Sequence, residues 1–418
     1  MIIGNPPGIT NTELSKINSN NLPDKQNLKN KLAIDALTGS SNFDISESII
    51  MKMIDEFKNT QSTIAFLCKT TVSRNIFKEL IRNKIDYSFT KQINFNSRKI
   101  FKIDADACLF IVQFGGSALK DMKCPVSDIS NPSKVLFEFG FQSGEFYSDL
   151  SNIADIDGEC MFEWRQGVKH DLAKIMELEK VNNHFVNKNG AEIALEDKFI
   201  YPLLKSSDLK KAILTKSRKY VIITQKKIKN DTTIIKSEAP KIWDYLNKNK
   251  ELFKNRKSKI YKNSPDFSIF GIGDYSFKKY KVAISGFYKD PKFCLVYSQK
   301  SMMLDDTCYF ISFDDYDTAY ITMLILNTSL VKKFLKSIVF IDSKRPYAKK
   351  VLKRIDITKC LKILTLNDLT KVEQELNLNK YIDNIKFDTY KKHIKINIDL
   401  SKLTINNSIG NISNYNKY

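Results

Sequence analysis

The chain has 418 residues, which is too long for one ordinary domain, so two or three domains are expected. Hydrophobic residues make up 42% of it, which is enough for a buried core. Its 67 Lys and Arg against 47 Asp and Glu give a formal net charge of +20, which indicates nucleic acid or an anionic membrane surface as partner. No apolar run approaches the roughly 20 residues of a membrane span, and no secretion signal precedes Pro6. DNA or RNA is therefore the favoured partner.

The cysteines and histidines limit the chemistry. The seven cysteines are dispersed and form no CxxC pair, which is typical of reduced core cysteines in a cytosolic protein. The three histidines are His170, His184 and His393. The sequence therefore predicts no metal site and no histidine-dependent triad, and any catalysis must use other groups.

The first 115 residues predict half of a doubly wound, Rossmann-like α/β domain. A strand at 1–5 ends abruptly at two prolines, and a loop over 8–42 contains a helical turn at 32–37. The elements predicted after it are a helix at 43–58, a strand at 62–68, a helix at 73–83 and strands at 86–93 and 103–114.

The rest of the chain predicts an α+β domain after a mixed connector. The connector covers 116–200, the basic second domain 201–360, and C-terminal helices with a tail that frays from 406 cover 361–418. Within the second domain we predict strands at 219–228, 280–288, 293–298 and 308–313, and a helix at 318–337.

The motif Gly4-Asn5-Pro6-Pro7 directly follows the first strand, at the strand end where open α/β sheets bind ligands. Two prolines fix φ and make this loop rigid. The side-chain oxygen of Asn5 and the carbonyl of Pro6 are two acceptors that can bind both protons of an exocyclic amino group, which turns the nitrogen lone pair toward a methyl donor. The alternative is that the motif merely ends the strand in a turn.

With its neighbours, this motif resembles the gamma-class N6-adenine DNA methyltransferases of bacterial type II restriction–modification systems. The residues that carry the resemblance are Ser41–Glu47, Ile64–Thr71, and Ile100-Phe101 before Ala105–Val112. The resemblance implies that Asn5, Pro6 and Pro7 hold the amino group of a flipped adenine and that Phe101 stacks on its ring. It also implies that Gly4, Asp44 and Glu47 face the cofactor, S-adenosylmethionine. The alternative for Phe101 is ordinary core packing.

The C-terminal half resembles the TaqI-type specificity domain of the same enzymes, which docks in the DNA major groove. The matching segments are Pro240–Leu246, Arg256–Lys262, Phe267–Phe277, Lys281–Gly286 and Leu304–Phe310. The stretch Trp164–Asp171 also recurs, where it either lines a cleft or forms a turn packed by Trp164.

Positive charge concentrates in this half. Between Lys211 and Asp290 there are 20 Lys and Arg against 7 Asp and Glu. Phosphate contacts give affinity, and side chains such as Gln225 and Arg256 can read base edges. The alternative is that the lysines only solvate the surface. The predicted DNA-binding residues are Arg218, Gln225, Lys226, Lys227, Arg256, Lys257, Tyr261, Tyr275, Lys278 and Lys279.

Two departures from the family shape the expected function. The family has an aromatic residue after Asn-Pro-Pro, where this chain has Gly8, and it places its Gly-rich cofactor loop before the motif, where only four residues precede Asn5. We therefore expect a methyltransferase whose cofactor-binding segment comes from a second subunit or an oligomer. The alternatives are a non-catalytic DNA-recognition subunit and a truncated relic. Double-stranded DNA is the expected partner, in the cytoplasm at the bacterial nucleoid.

Overall fold

The computed structural model describes residues 1–8, 44–102, 106–115, 122–152, 155–182, 184–193, 195–341 and 343–395. It divides into two compact units. Unit 1 comprises Met1–Ile153 and Lys336–Ser343, and unit 2 comprises Ala154–Leu335 and Lys344–Tyr418. The predicted helical turn at 32–37 and the predicted frayed tail from 406 lie outside the described residues.

Unit 1 is built on a seven-stranded sheet in the order β1-β2-β4-β3-β5-β6-β7. Strand β1 runs parallel to β2, β3 runs parallel to β5, and the other neighbours are antiparallel. The strands are β1 (Ile2–Gly4), β2 (Thr63–Lys69), β3 (Phe89–Phe95), β4 (Ala107–Gln113), β5 (Lys123–Asp128), β6 (Asn131–Gln142) and β7 (Glu145–Tyr147).

Two amphipathic helices cover one face of this sheet. Helix α1 (Ile45–Phe57) begins at Asp44, whose carboxylate caps the backbone N–H of Ser46, and helix α2 (Thr70–Arg82) starts directly from β2. Their apolar faces and alternate strand residues form one core, to which Ile50, Ile54, Ile76, Phe77, Ile64, Phe66, Phe110 and Val112 belong. A short third helix, α3 (Ser97–Phe101), lies between β3 and β4.

The sheet of unit 1 continues beyond residue 115, where we placed the end of the first domain. Strand β5 pairs in parallel with β3 from Gln92 opposite Val126 to Asn94 opposite Asp128, and β6 and β7 extend the sheet further. Residues 123–147 thus form strands of this sheet. They do so because β3 pairs with β4 on one side only, and its backbone groups on the other side are available to β5. The predicted strands at 86–93 and 103–114 correspond to β3 and β4.

Unit 2 contains two further sheets. The six-stranded sheet has the order β11-β10-β9-β14-β12-β17, and the five-stranded sheet has the order β13-β16-β15-β18-β8. The strands are β8 (Arg165–Gln166), β9 (Glu177–Val181), β10 (His184–Asn187), β11 (Glu192–Ile193), β12 (Ile200–Leu204), β13 (Ile213–Leu214), β14 (Lys219–Ile222), β15 (Tyr280–Ser285), β16 (Phe293–Tyr297), β17 (Met303–Leu304) and β18 (Cys308–Phe313).

The α-helices of unit 2 are mostly short, and α10 ends in unit 1. They are α4 (Ala173–Met176), α5 (Ile234–Glu238), α6 (Pro240–Lys248), α7 (Lys250–Lys254), α8 (Asp274–Phe277), α9 (Tyr316–Leu326), α10 (Ser329–Ile338), α11 (Lys349–Leu352), α12 (Ile357–Ile363), α13 (Leu366–Glu375) and α14 (384–395). No helix in the described ranges is long and apolar enough to cross a membrane.

Two predicted elements of unit 2 are interrupted by polar side chains that bond elsewhere. The helix predicted at 318–337 is two helices, because the buried amide of Asn327 binds both backbone groups of Phe293, at 3.1 and 2.8 Å. The strand predicted at 219–228 ends at Ile222. Beyond it, Thr224 donates to the carbonyl of Phe267 and the amide of Gln225 accepts from Ile269 N–H.

All seven cysteines are free and buried, as the prediction of reduced core thiols requires. Burial raises the pKa of Cys160 to about 11 and that of Cys294 to about 12. These thiols therefore stay neutral and behave as small apolar core groups.

Candidate active site

The pairing of the strands gathers the predicted site residues at one edge of the sheet of unit 1. Gly4 lies opposite Phe66, while Lys69 and Phe95 both lie opposite Ala107. The carboxyl ends of β1, β2 and β3 and the amino end of β4 therefore lie at the same end of the strands, and "this edge" refers below to that end of the sheet. Asn5, the start of α2 and the short helix α3 all follow from strand ends at this edge.

The Asn5-Pro6-Pro7 loop is accessible. Asn5 and Pro7 are exposed and Pro6 is half-buried. Among the described residues, none forms a hydrogen bond with the Asn5 side chain. The Asn5 side chain is thus presented to solvent at the end of β1, and part of Pro6 is accessible next to it.

Gly4 has a packing role that the sequence did not suggest. A Cβ built on Gly4 would lie 2.4 Å from Cε1 and 2.8 Å from Cδ1 of Phe66, whose ring is 4% exposed in the core. The Phe66 ring therefore occupies the space that a side chain at position 4 would need. Its predicted contact with a cofactor stays a prediction.

Replacing Gly4 with alanine should destabilise unit 1 by about 1–3 kcal/mol, because the new methyl group overpacks the Phe66 ring. Thermal unfolding measures the change. Gly8→Ala is the matched control, since Lys69 Cε, at 3.8 Å, is the one described heavy atom within 4 Å of a Cβ there. Equal melting temperatures for the two variants would contradict the packing role.

A lysine joins the segment after Asn-Pro-Pro to the start of α1. The ammonium of Lys69 lies 2.7 Å from Oδ2 of Asp44 and donates to the carbonyl of Gly8 at 3.2 Å. Asp44 is 7% exposed, and its other oxygen accepts from Ser46. Sequence reasoning assigned no role to Lys69, although its position at the exit of β2 was the available signal.

Glu47, the second acid predicted to face a cofactor, is 3% exposed and accepts from Asn75 of α2 at 3.0 Å. Both predicted acids thus bind groups of unit 1 itself. Their role toward a cofactor stays a prediction.

Phe101 ends the short helix α3 and is 47% exposed, so it is not an ordinary core residue. Its ring meets that of Phe95 edge-on, with centroids 5.8 Å apart and an interplanar angle of 73°. Phe95 therefore packs against one part of the Phe101 ring, and a large part of the ring remains available for stacking.

Some of the predicted DNA-binding residues of unit 2 are exposed, and others form contacts within the unit. Arg218 is 89% exposed at its side chain, and Lys226, Lys257 and Lys279 are also exposed. Lys227 is exposed too and pairs with Asp274 at 2.9 Å. These five cations are free to meet phosphates without rearranging the core.

The other predicted contacts are partly used inside unit 2. Gln225 is 4% exposed and bonds the backbone at Lys227 and Ile269. The guanidinium of Arg256 donates to the carbonyl of Ser268 at 2.7 Å and lies 3.5 Å from the ring centroid of Tyr261. Base reading by Gln225 or Arg256 would require these bonds to break, which disfavours them as readers.

Tyr275 and Lys278 also have partners in unit 2. The Arg165 guanidinium lies 4.6 Å from the Tyr275 ring centroid, and Lys278 pairs with Asp314 at 2.7 Å. Both are half-buried. They can contact DNA only with the part of the side chain that these partners leave exposed.

A buried cluster of titratable side chains includes His170 of the Trp164–Asp171 stretch and centres on Glu177. Trp164 is fully buried, as the packing interpretation predicts. Nδ1 of His170 accepts the N–H of Leu172 at 3.1 Å, and Nε2 lies 3.6 Å from Glu177. Burial lowers the pKa of His170 to about 4. Burial opposes ionisation of Glu177, but hydrogen bonds from Lys205 and Lys188 outweigh it, so its pKa is below the usual value.

The stability of unit 2 should fall as the pH drops from about 6.5 to about 4. The folded His170 stays neutral in this window while the unfolded chain binds a proton, so protonation favours unfolding by up to about 3 kcal/mol. Denaturant titrations between pH 4 and 7 on the wild type and on His170→Gln measure the effect. The control, the exposed His184→Gln, should keep the wild-type profile, and a loss of the slope in the control instead would refute the assignment.

Comparison with known proteins adds the family. Over 370 residues, the chain is 38% identical to the type II methyltransferase M.NspV of Nostoc sp. (strain ATCC 29411 / PCC 7524), covering 87% of this chain and 77% of the relative. The chain belongs to the type II methyltransferase family. No family model matches the chain.

More distant likenesses are to restriction–modification enzymes. The type IIL enzyme MmeI in complex with DNA is 12% identical with a TM-score of 0.48, over 94% of this chain and 57% of MmeI. A nuclease-deletion mutant of the type ISP enzyme LlaGI is 13% identical with a TM-score of 0.44, over 92% of this chain and 42% of that chain. The chain thus spans less than two thirds of these enzymes, and likenesses of this degree do not define its function.

Proposed function

We propose that this member of the type II methyltransferase family transfers a methyl group to the N6 nitrogen of adenine in a specific DNA sequence, as a gamma-class enzyme with a TaqI-type specificity domain. The observation that carries the proposal is the accessible Asn5-Pro6 loop at the end of a parallel strand, in a chain 38% identical to a type II methyltransferase. We place it in the bacterial cytoplasm, at the nucleoid.

The acceptor side of the reaction follows from the residues at the sheet edge. The Asn5 side-chain oxygen and the Pro6 carbonyl accept the two N–H protons of a flipped adenine, which leaves the nitrogen lone pair facing away from the loop. Phe101 offers its exposed face to the base and offsets part of the unstacking cost. Once methylated, the nitrogen would carry a positive charge and would release its proton to water, so the site needs no general base from these residues.

S-adenosylmethionine, when bound, supplies the methyl group. The described residues alone do not fit the whole cofactor, because the acids predicted to face it, Asp44 and Glu47, already bind Lys69 and Asn75. Among the described residues, those that carry the proposed chemistry therefore belong to the acceptor side of the site.

We propose that the cofactor-binding strands pair along the outer edge of β1, on whichever polypeptide they lie. Among described residues, β1 pairs with β2 alone. The sheet face opposite the two helices is apolar and incompletely covered: Ile3 is 68% exposed, and Leu67 and Ile111 are half-buried. The register places Ile3 beside Ala65 and Ala65 beside Ile111. An open edge and an apolar face next to it need a partner segment or a second copy to cover them.

Lys69→Met should lower methylation about tenfold and leave DNA affinity unchanged, because the lost ammonium no longer holds Gly8 to Asp44 and the neighbouring Asn5-Pro6 loop gains freedom. Steady-state kinetics separate the expected fall in kcat from an unchanged KM for DNA. Lys69→Arg should restore part of the activity. An equal loss in Lys69→Arg and Lys69→Met, or a raised KM alone, would argue against positioning.

DNA binding is assigned to the exposed cations of unit 2. Affinity for duplex DNA should decrease steeply with salt, because each phosphate contact contributes about 0.9 to the log–log slope. A slope magnitude below about 2 would contradict phosphate binding by this surface.

The proposal is tested by incubating the chain with labelled S-adenosylmethionine and mixed-sequence DNA, with M.NspV as positive control, and then identifying the methylated base. N6-methyladenine at one recurring sequence supports the enzyme. Tight, salt-sensitive DNA binding without methylation, also after addition of a gamma-class cofactor-binding fragment, would support the alternative of a recognition subunit or inactive relative.

A further inference from the structure

A cleft of about 340 Å³ opens in unit 1 next to the edge that carries Asn5. Its lining comes from the first turns of α2, the end of β3, the start of β4, and segments at 137, 148–149 and 336–341. All of these belong to unit 1. The acceptor-side chemistry proposed above uses none of them.

The floor of the cleft is a chain of hydrogen-bonded polar side chains. The hydroxyl of Ser73 donates to Oε1 of Gln92 at 2.6 Å, and Nε2 of Gln92 donates to Oδ1 of Asn94 at 2.8 Å. Gln92 is 3% exposed, whereas Asn94 is half-buried and lines the cleft. The amide of Asn94 is thus oriented before any ligand arrives. An amide offers a donor and an acceptor side by side, the pattern that pairs with a base edge.

The walls of the cleft are planar. The guanidinium carbon of Arg74 lies 3.8 Å from the ring centroid of Phe340, and Arg74 is 8% exposed. Phe95 and Phe137 are half-buried and also line the cleft. Aromatic rings and an arginine plane are surfaces on which nucleobases stack.

Other ligand classes fit this lining less well. No group of three metal-ligating side chains occurs within the described ranges. The lining carries two acids, Asp106 and Asp149, against two cations, Arg74 and Lys336, so it has no net positive charge for a phosphate. An apolar ligand would leave the Nδ2 group of Asn94 unpaired, at a cost of about 1–3 kcal/mol. A cleft of about 340 Å³ is also at the small end of ligand sites, which suits one nucleoside.

Asn94 is too far from Asn5 for both side chains to bind the edge of one base. In the order β1-β2-β4-β3, the strand that carries Asn94 is the third neighbour of β1, so roughly 14 Å separates them at about 4.8 Å per strand. Phe95 lines the cleft and also contacts Phe101, with ring centroids 5.8 Å apart. The two aromatic surfaces therefore adjoin each other.

We propose that this cleft binds a second, unstacked nucleobase of the DNA, distinct from the adenine that is methylated. The inference rests on the proposed function in that DNA is the substrate. Asn94 pairs with the edge of this base, and Phe95, Phe137 and the Arg74–Phe340 pair enclose its faces. Two nucleotides of the bound site then leave the duplex stack.

The test is 2-aminopurine fluorescence, which rises when the base leaves the stack. The site on duplex DNA is located by footprinting, and the probe is then placed at each position in turn. Two positions should brighten severalfold with the wild-type chain. Asn94→Leu should extinguish one of them, retain the other and weaken DNA binding about tenfold. Asn131→Leu, an exposed asparagine at the start of β6, should keep both.

The outcomes separate this inference from the proposed function. A single bright position with the wild type, or two that survive in Asn94→Leu, would overturn the second-base site and leave the methyltransferase proposal intact. If melting shows that Asn94→Leu is unfolded, the isosteric Asn94→Asp must give the same selective loss, because it keeps the acceptor for Gln92 and removes only the Nδ2 donor. An absence of any duplex binding would contradict the proposed function itself.

Discussion

Replacing Asn5 with alanine should lower DNA methylation by about 10²- to 10³-fold, the usual effect of removing one pre-oriented polar group that acts on the reacting atoms. The Asn5 oxygen is one of two acceptors proposed for the adenine amino group, and Pro6 supplies the other from the backbone. Without Asn5, one N–H turns to water and the lone pair is no longer aimed. The measurement is initial methylation rate at saturating DNA and cofactor.

DNA affinity of Asn5→Ala should stay within about twofold of the wild type, because the exposed cations assigned to phosphate binding lie in unit 2. The matched control is Asn131→Ala, the same chemical change at an exposed asparagine, which should methylate at the wild-type rate. Parallel losses of binding and methylation in Asn5→Ala would show that Asn5 acts in docking or folding and not on the amino group.

Lys281→Met should stabilise unit 2 by about 2–4 kcal/mol at pH 7. Lys281 lies inside β15, is 0% exposed, and its amine donates to the carbonyl of Lys278 at 2.7 Å. Burial lowers the pKa of Lys281 from 10.5 to about 7. Keeping this amine uncharged, or burying its charge, costs several kcal/mol, and the substitution removes this cost. The loss of the hydrogen bond to Lys278 reduces the expected stabilisation by about 1–2 kcal/mol.

The stabilisation by Lys281→Met should depend on pH in a defined direction. Between pH 10.5 and about 7 the unfolded lysine binds a proton that the folded one does not, so wild-type stability falls as the pH falls through this window. The advantage of the variant should therefore be largest near pH 7 and vanish toward pH 10.5. Denaturant titrations at several pH values measure it, with the exposed Lys279→Met as control within about 0.5 kcal/mol of the wild type. A less stable Lys281→Met at pH 7 would contradict the buried-charge argument.

The sequence predicted the local elements of unit 1 well, because their signals are local. Helix α1 carries its cap at Asp44 and its apolar period within thirteen residues, and β2 is a continuous apolar run. The pairing of β3 with β5 was missed, since Gln92 and Val126 are 34 positions apart and nothing in either segment announces the other. The first domain was therefore predicted to end at residue 115, before β5.

The same reasoning explains the uneven result for the site. Asn5 was predicted because a rigid Asn-Pro-Pro loop after a strand is visible in sequence. Lys69 was not, because its two partners, Gly8 and Asp44, are 61 and 25 residues away. Gln225 and Arg256 are the direct sequence neighbours of Lys226 and Lys257, yet the first two bond the backbone inside unit 2 and the last two are exposed. Composition predicts a positive surface, but it does not predict which polar side chains form hydrogen bonds within unit 2 and which remain exposed.

The burial of every native thiol makes the chain suitable for site-specific labelling. All seven cysteines are inside the units, so a maleimide dye has no native attachment point while the chain is folded. A single cysteine at position 385, where the native isoleucine is 78% exposed and has no assigned role in DNA binding, would then carry the only dye on the protein, without removal of any core residue. Energy transfer from that dye to labelled duplexes can report, one molecule at a time, how long unit 2 stays on each DNA sequence.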